Sequence, residues 1–301
     1  MKEESLSYYK KAGEIAKEVL EEGLKKIKPG VKLLEVAEFV EARIIEKGGK
    51  PAFPCNISVN EIAAHYSPTA WDEGTFEKGD LVKLDIGVHV NGYIADVAKS
   101  IDLGNKSENK KLIEASEEAL KNAIDMIKPG VKTSEIGETI EETIKGFGFV
   151  PVSNLTGHQL QRWRLHGGMF IPNVKIRGGE EIKEGDVIAI EPFATNGFGR
   201  VVDQSEAIIF RYLQDRPLRM KEARVILQYA KENFNTLPFA ERWVANLVPR
   251  FKLSQALRQL IYSKAIHAYH ILREKNKGIV SQAEHTVIVT KEGCEVTTGE
   301  I

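Results

Sequence analysis

The hexapeptide Ile27–Lys32, IKPGVK, recurs unchanged as Ile127–Lys132, an offset of 100 residues. Six consecutive identities lie far outside chance in a chain of 301 residues. A repeat at this spacing constrains the fold more than any single motif does. Two copies of one supersecondary unit bury against each other the faces that a single copy leaves open. Three weaker matches follow in the same order. Asn56–Asn60 (NISVN) parallels Asn154–His158 (NLTGH), Gly79–Asp85 (GDLVKLD) parallels Gly185–Glu191 (GDVIAIE), and Asn91-Gly92-Tyr93 parallels Asn196-Gly197-Phe198. The offsets drift as small loop insertions make them drift.

In the first copy, Leu6, Tyr9, Ala12, Ile15, Ala16, Val19, Leu20 and Leu24 recur at helical spacing, and the helix they predict ends near Pro29-Gly30. A second helix is expected over about 34–46, then an irregular stretch over about 51–70, then a hairpin. The second copy predicts helices over about 107–127 and 134–145 on either side of the repeated Pro-Gly. The unit therefore reads helix, helix, strand, hairpin, used twice. The first repeat covers about 7–105 and the second about 107–301, within one domain. Two such units about a pseudo-two-fold axis would pool their strands in one sheet with helices on one face, an α+β fold.

The hairpin is the most informative stretch of the unit. Leu81–Ala98, LVKLDIGVHVNGYIADVA, places alternating apolar runs on both sides of Asn91-Gly92, the pair a type I′ turn prefers. That turn sets Val90 against Tyr93 and Gly87 against Asp96. Asp85 then shares a face with Asp96 as a diagonal neighbour, roughly 7–8 Å away. Two carboxylates this close in an apolar hairpin repel, so a cation belongs between them or one holds a proton.

The duplication extends the pattern. It aligns Asp85 with Glu191, and Asn60 with His158, a metal-capable side chain where the first copy has an amide. Residues 84–86 and 190–191 sit in apolar strand cores, where an unpaired charge is costly. The second copy is then interrupted. An insert over about 205–272 reads as helical from Arg211 to Lys264, with segments over about 218–233, 238–247 and 254–263 and Ser254 as an N-cap. Strands are expected over 268–272 and 279–290, and the second carries Glu284 into the place that Asp96 fills in the first copy.

Composition narrows the class. Lys and Arg total 42 against 43 Asp and Glu, so net charge selects no partner. Two cysteines, Cys55 and Cys294, make neither a framework nor a CxxC, which points to a reducing compartment, and Cys55 reads as a small buried residue. The first 22 residues read as an amphipathic helix and not a signal peptide, and no apolar run approaches the ~18 residues of a membrane span. A cytoplasmic protein that binds neither membrane nor DNA is expected.

Asp85, Asp96, His158, Glu191 and Glu284 are thus the candidate metal ligands. Four carboxylates and one imidazole form a hard, oxygen-rich set suited to paired divalent ions of manganese, iron or cobalt, with zinc also accommodated. Bridging carboxylates would hold two such ions about 3.5–4 Å apart, and solvent between them would become nucleophilic near neutral pH.

This set, with the motifs NLTGH (154–158), LHGG (165–168) and QAEHT (282–286), resembles the methionine aminopeptidases over essentially the whole chain. The insert between Glu191 and Glu284 resembles the type II branch, in a short archaeal-like form without a long N-terminal extension. The resemblance implies the duplicated pita-bread α+β fold with an inserted helical subdomain. It further implies a dinuclear metallo-exopeptidase that removes the N-terminal methionine of nascent chains with a small second residue. Asp85 would bind one ion, His158 and Glu191 the other, and Asp96 and Glu284 would bridge. His65 and His166 would flank the substrate and steady its carbonyl, and Glu191 would shuttle the proton to the leaving amine. Phe53, Leu165, Phe193 and Tyr269 match the methionine pocket. His89, His267, His270 and His285 are left as structural residues. A monomer is expected.

The insert Arg211–Lys264 carries 11 Lys and Arg against 4 Asp and Glu, a net of +7, which suggests a salt-sensitive contact with ribosomal RNA or else a solvated helical face. Two rival readings stand beside this one. A proline-directed peptidase of the aminopeptidase P or prolidase kind would usually carry an extra N-terminal domain and lack the helical insert. A non-catalytic relative that binds RNA or protein would lack ligands, and all five are here.

Overall fold

The computed structural model describes residues 2–299. Its elements in chain order are α1 (Glu3–Lys26), α2 (Leu33–Glu46), β1 (Lys50–Val59), β2 (Ile62–Ala64), β3 (Leu81–Val90), β4 (Tyr93–Asp102), α3 (Ser107–Asp125), α4 (Thr133–Gly146), β5 (Val150–Pro151), β6 (Thr156–Gln159), β7 (Phe170–Pro172), β8 (Val187–Ile190), β9 (Phe193–Thr195) and β10 (Val201–Tyr212). There follow α5 (Lys221–Phe234), β11 (Pro238–Ala240), α6 (Glu241–Val244), α7 (Arg250–Tyr262), β12 (Ile266–Glu274), β13 (Val280–Val289) and β14 (Cys294–Val296). None of the described helices is long and apolar enough to cross a membrane.

The repeated IKPGVK makes the same turn twice. The Gly30 amide donates to Phe76 and the Gly130 amide to Ile182, each to a backbone carbonyl, at 2.8 and 2.9 Å. Each turn leads into the second helix of its unit. α1 and α2 bury Ala16, Val19, Val36 and Val40 against Val82, Leu84 and Ile86, while α3 and α4 bury Leu112, Ala119, Ile136 and Ile140 against Ile188 and Ile190. Fully burying each Val, Leu or Ile among these is worth about 1.5–3 kcal/mol. The helices therefore cover one face of the principal sheet, whose order is β1-β3-β4-β13-β8-β6-β7. The pseudo-two-fold axis runs between β4 and β13, where Glu284 lies opposite Ala98.

At its tip, the β3–β4 hairpin closes as the sequence predicts. Asn91 and Gly92 have φ of 51° and 87°, Val90 pairs with Tyr93, and Gly87 pairs with Asp96. Gly87 has a second reason to lack a side chain: a Cβ there would meet the Phe53 ring at 2.2 Å.

Several local expectations change in three dimensions. The stretch expected to be irregular contains β2 and all but the first residue of β1. Pro51 and Pro54 and two register shifts break its alternation, which is tolerated because β1 ends the sheet path. Residues 238–240 form β11 and not the start of a helix, and only α6 and one 3-10 turn follow. Ser254 lies inside α7, whose N-cap is Pro249. After Gly197 the chain does make a return strand, β10. It leaves the principal sheet and pairs with β12 in a second sheet ordered β11-β10-β12-β2.

Two buried carboxylates join these parts. Glu274 accepts the amides of Phe198, Gly199, Asn276 and Gly278 at 2.6–3.1 Å, which pins together the two crossings between the sheets. Glu41 on α2 takes the Arg242 guanidinium, the Trp243 indole N–H at 2.7 Å and the Cys55 amide at 3.0 Å. Arg242 also donates to Ser67 Oγ and the Pro68 carbonyl, at 2.6 and 3.0 Å. Burial outweighs the pull of Arg242 and leaves the Glu41 carboxyl above its ordinary range. Arg242→Ala would strand a buried charge and is expected to cost about 3–5 kcal/mol. The urea midpoint of the variant measures that loss, and Arg242→Ala with Glu41→Leu should recover much of it.

Candidate metal centre and active site

Five successive strands of the principal sheet each deliver one candidate ligand. Asp85 comes from β3, Asp96 from β4, Glu284 from β13, Glu191 from the end of β8 and His158 from β6. The period-two alternation of each strand sends these side chains to the face away from the helices, while Leu84, Ile86, Val97 and Ile190 point into the helix-side cores.

Register refines the internal alignment. Asp85 lies opposite Ala98, and Gly87 opposite Asp96. β8 and β9 run against β13 in one continuous register, His285 to Ile190 and Gln282 to Phe193, so Glu191 faces Glu284. With Asp85 equivalent to Glu191, Glu284 is equivalent to Ala98, and Asp96 to Gln282. Glu284 thus reaches the site from a place two residues away from the one expected. A shift of two keeps the face, so the chemistry survives the misalignment. Likewise Ser58 opposes Lys83 where His158 opposes Ala189, which makes Ser58, and not Asn60, the counterpart of His158.

The five side chains, four of them buried and Glu191 half-buried, surround one cavity of about 230 Å³. His158 Nε2 lies 3.5 Å from Glu191 Oε1 and 3.7 Å from Asp96 Oδ2. One donor atom each from Asp96, His158 and Glu284 falls within 4.8 Å of the others. Asn56 Nδ2 donates to Asp85 at 3.3 Å and Gln282 Nε2 to Glu284 at 3.1 Å. Thr286 Oγ1 accepts the Asp96 amide and donates to the Asp96 carbonyl, both at 2.8 Å.

Electrostatics sets the character of the cavity. Burial pushes Asp85 up to about 7. Burial and neighbouring carboxylates push Asp96, Glu191 and Glu284 well above their ordinary range. Burial pushes His158 down to about 4, which leaves a neutral imidazole. Asp85 Oδ1, Asp96 Oδ1, Glu284 Oε1 and His158 Nδ1 are buried without hydrogen-bond partners. No Lys or Arg is among the described residues that line the cavity. Buried acceptors without donors, beside a neutral imidazole, are what divalent cations complete, so the residues fit a metal.

His65, His166, Phe53, Leu165, Phe193 and Tyr269 all line this same cavity. The Tyr269 ring stands 5.5 Å from that of His65 and 6.3 Å from that of His166, and His166 meets His158 edge-on at 4.5 Å. Burial holds both imidazoles neutral, with His166 down at about 2. His65 Nδ1 faces the His270 carbonyl at 3.1 Å. A carbonyl only accepts, so Nδ1 carries the hydrogen and Nε2 keeps its lone pair. The remaining histidines stay outside the cavity: His89 packs on Trp163, His267 on Tyr269, His270 bonds Gln204, and His285 bonds Thr298.

Sequence reasoning missed Asn56, Thr156, Ile209 and Pro238 in the lining. The first two lie in the repeated NIS and NLT segments and were within reach. Ile209 and Pro238 arrive on β10 and β11, which only the second sheet brings over the cavity. A larger groove of about 740 Å³ lies on the other face of the sheet, between α1 and α3, with none of the candidate ligands in its lining.

The model of metallopeptidase family M24 matches residues 7–291. Over 289 residues the chain is 54% identical to a methionine aminopeptidase of Thermococcus onnurineus, covering 96% of this chain and 97% of that one. A solved methionine aminopeptidase from Thermotoga maritima superposes with a TM-score of 0.74 at 24% identity, covering 100% and 98% of the two chains. A thermophilic Arx1 superposes with a TM-score of 0.85 at 20% identity, covering 100% and 92%. At such identities the structural likeness establishes the pita-bread fold alone. The family match establishes a hydrolase that uses divalent metal, and the near-full-length identity to curated relatives sets aside the proline-directed and non-catalytic readings. The chain belongs to metallopeptidase family M24, among its methionine aminopeptidases.

Proposed function

We propose that Asp85, Asp96, His158, Glu191 and Glu284 together hold two divalent ions of cobalt, manganese, iron or zinc, with Asp96 and Glu284 shared between them. The supporting observation is their convergence from five adjacent strands with buried oxygens left unpartnered. Divalent ions held there polarise a carbonyl and ease the ionisation of solvent. Glu191 takes the proton of the attacking water and passes it to the leaving amine. His166 donates an N–H to the carbonyl oxygen that becomes the oxyanion. His65 accepts a substrate backbone N–H at its free Nε2. Phe53, Leu165, Phe193 and Tyr269 receive the unbranched methionine side chain in a cavity sized for one residue. Crowding beyond it favours a small second residue.

The enzyme acts on peptide and protein N-termini. We extend this to nascent chains in the cytoplasm, processed by a monomer whose basic insert rests on ribosomal RNA. Both cysteines are free thiols, in keeping with a reducing compartment.

Three outcomes are expected. Glu191→Gln should retain the fold and lose roughly 10²–10⁴-fold in turnover of Met-Ala-Ser, with Ala-Pro-Ala left uncleaved by the parent. Near-normal turnover in the variant would exclude Glu191 from proton transfer. In the metal-free protein the raised carboxyl values make the folded state bind more protons than the unfolded one. Its stability should therefore fall as pH rises from about 4 through 7. Calorimetry should find that divalent cation raises the melting temperature more at pH 7.5 than at pH 5. Co-sedimentation with ribosomes should be present at low salt and lost at high salt.

A further inference from the structure

Lys83 is fully buried, more deeply than any other Lys or Arg among the described residues. Its ammonium donates to two backbone carbonyls, Asn60 at 2.9 Å and Val280 at 2.8 Å. These carbonyls belong to the β1–β2 turn and to the first residue of β13. The sheet places β4 between β3 and β13, so the Lys83 side chain crosses an intervening strand to reach its second partner. Beneath the crossing, Ser100 is the β4 partner of Lys83, and its hydroxyl donates to the Gln282 carbonyl at 2.7 Å and accepts the Gln282 amide at 2.8 Å.

The braced strands are those that carry Asp85 and Glu284. Asp85 is two residues from Lys83 on the same face of β3. Along β13, Val280 is followed at the same spacing by Gln282, whose amide holds Glu284 at 3.1 Å. The second repeat has Ala189 at the corresponding place, opposite the ligand His158. The first repeat has Lys83 opposite Ser58 instead. One copy supplies an imidazole in this layer, and the other supplies a brace.

We propose that Lys83 is a positioning residue for the divalent-metal site: its ammonium, held between the Asn60 and Val280 carbonyls, sets the separation of the strands that bear Asp85 and Glu284. The proposal rests on the reading of those carboxylates as metal ligands. Groups that orient ligands in this indirect way typically change metal affinity 10–100-fold when removed.

The test is titration of the metal-free full chain with Co(II), followed by calorimetry and by the visible absorption of the bound ion. Lys83→Met should fold, with a metal-free melting temperature close to the parent's, and bind Co(II) roughly 10–100-fold more weakly. In Lys83→Ala, ammonium or methylammonium chloride should restore affinity and the parental spectrum, since either cation can bridge the two carbonyls. Tetramethylammonium, which has no N–H, should not. Parental affinity in both variants would overturn the proposal, as would weakened binding that no ammonium salt restores. If Lys83→Met does not fold, Lys83→Leu, which likewise has no donor, carries the same titration. Failure of all three variants to fold would make Lys83 a folding residue and refute the positioning role. Absence of Co(II) binding by the parent chain would refute the ligand reading itself, a result distinct from parental binding in the variants.

Discussion

Four carboxylates withdrawn from water around one small cavity repel one another and lose their hydration. That repulsion is the condition the rest of the structure answers to. Each acid sits on a strand fixed on both sides by ladder hydrogen bonds, so none can swing out to solvent without breaking the sheet. Asn56, Gln282 and Thr286 hold three of them by side chain or backbone. No Lys or Arg among the described residues brings positive charge to the cavity, and the proposed divalent cations would supply it. A constellation that is unfavourable empty and favourable loaded couples metal binding directly to stability.

Duplication explains how one sheet offers so many acids at one place, and divergence explains why they are not interchangeable. The two-fold axis brings the second hairpin strands together at its centre, β4 against β13. Strict symmetry would give matched pairs. Asp85 and Glu191 are such a pair, but Asp96 answers to Gln282, Glu284 to Ala98, and His158 to Ser58. Because each displacement keeps the strand face, the second copy could exchange one ligand position for another without leaving the cavity. The result is an asymmetric site with His158 from the second copy only, and with His65 and His166 both close to the Tyr269 ring.

The second sheet and the inserted helices roof the cavity in which the five side chains meet. β10, β11 and β12 carry Ile209, Pro238 and Tyr269 over the cavity; the Glu274 network ties this layer to the principal sheet, and the Glu41 network ties it to the first repeat. Those networks are built from buried carboxylates satisfied by backbone amides and by one guanidinium. They fix geometry more than they add net stability, since desolvation offsets much of what the contacts return.

The sequence by itself determined the duplication, the α+β class, the hairpin turn at Asn91-Gly92 and the five side chains that meet in the cavity. These rest on local rules: identity between copies, turn preference at positive φ, and alternation with period two. Apolar flanks around each acid made burial, and hence metal, the economical reading. The sequence did not determine which position of one copy answers to which in the other, because period-two alternation is blind to a shift of two residues. Nor did it reveal β1 behind its prolines, β11 within a helical stretch, or the reach of Lys83 across β4 to Val280. Those features depend on which strands become neighbours and on how two sheets meet, and contacts between residues some 200 positions apart leave no periodic trace along the chain.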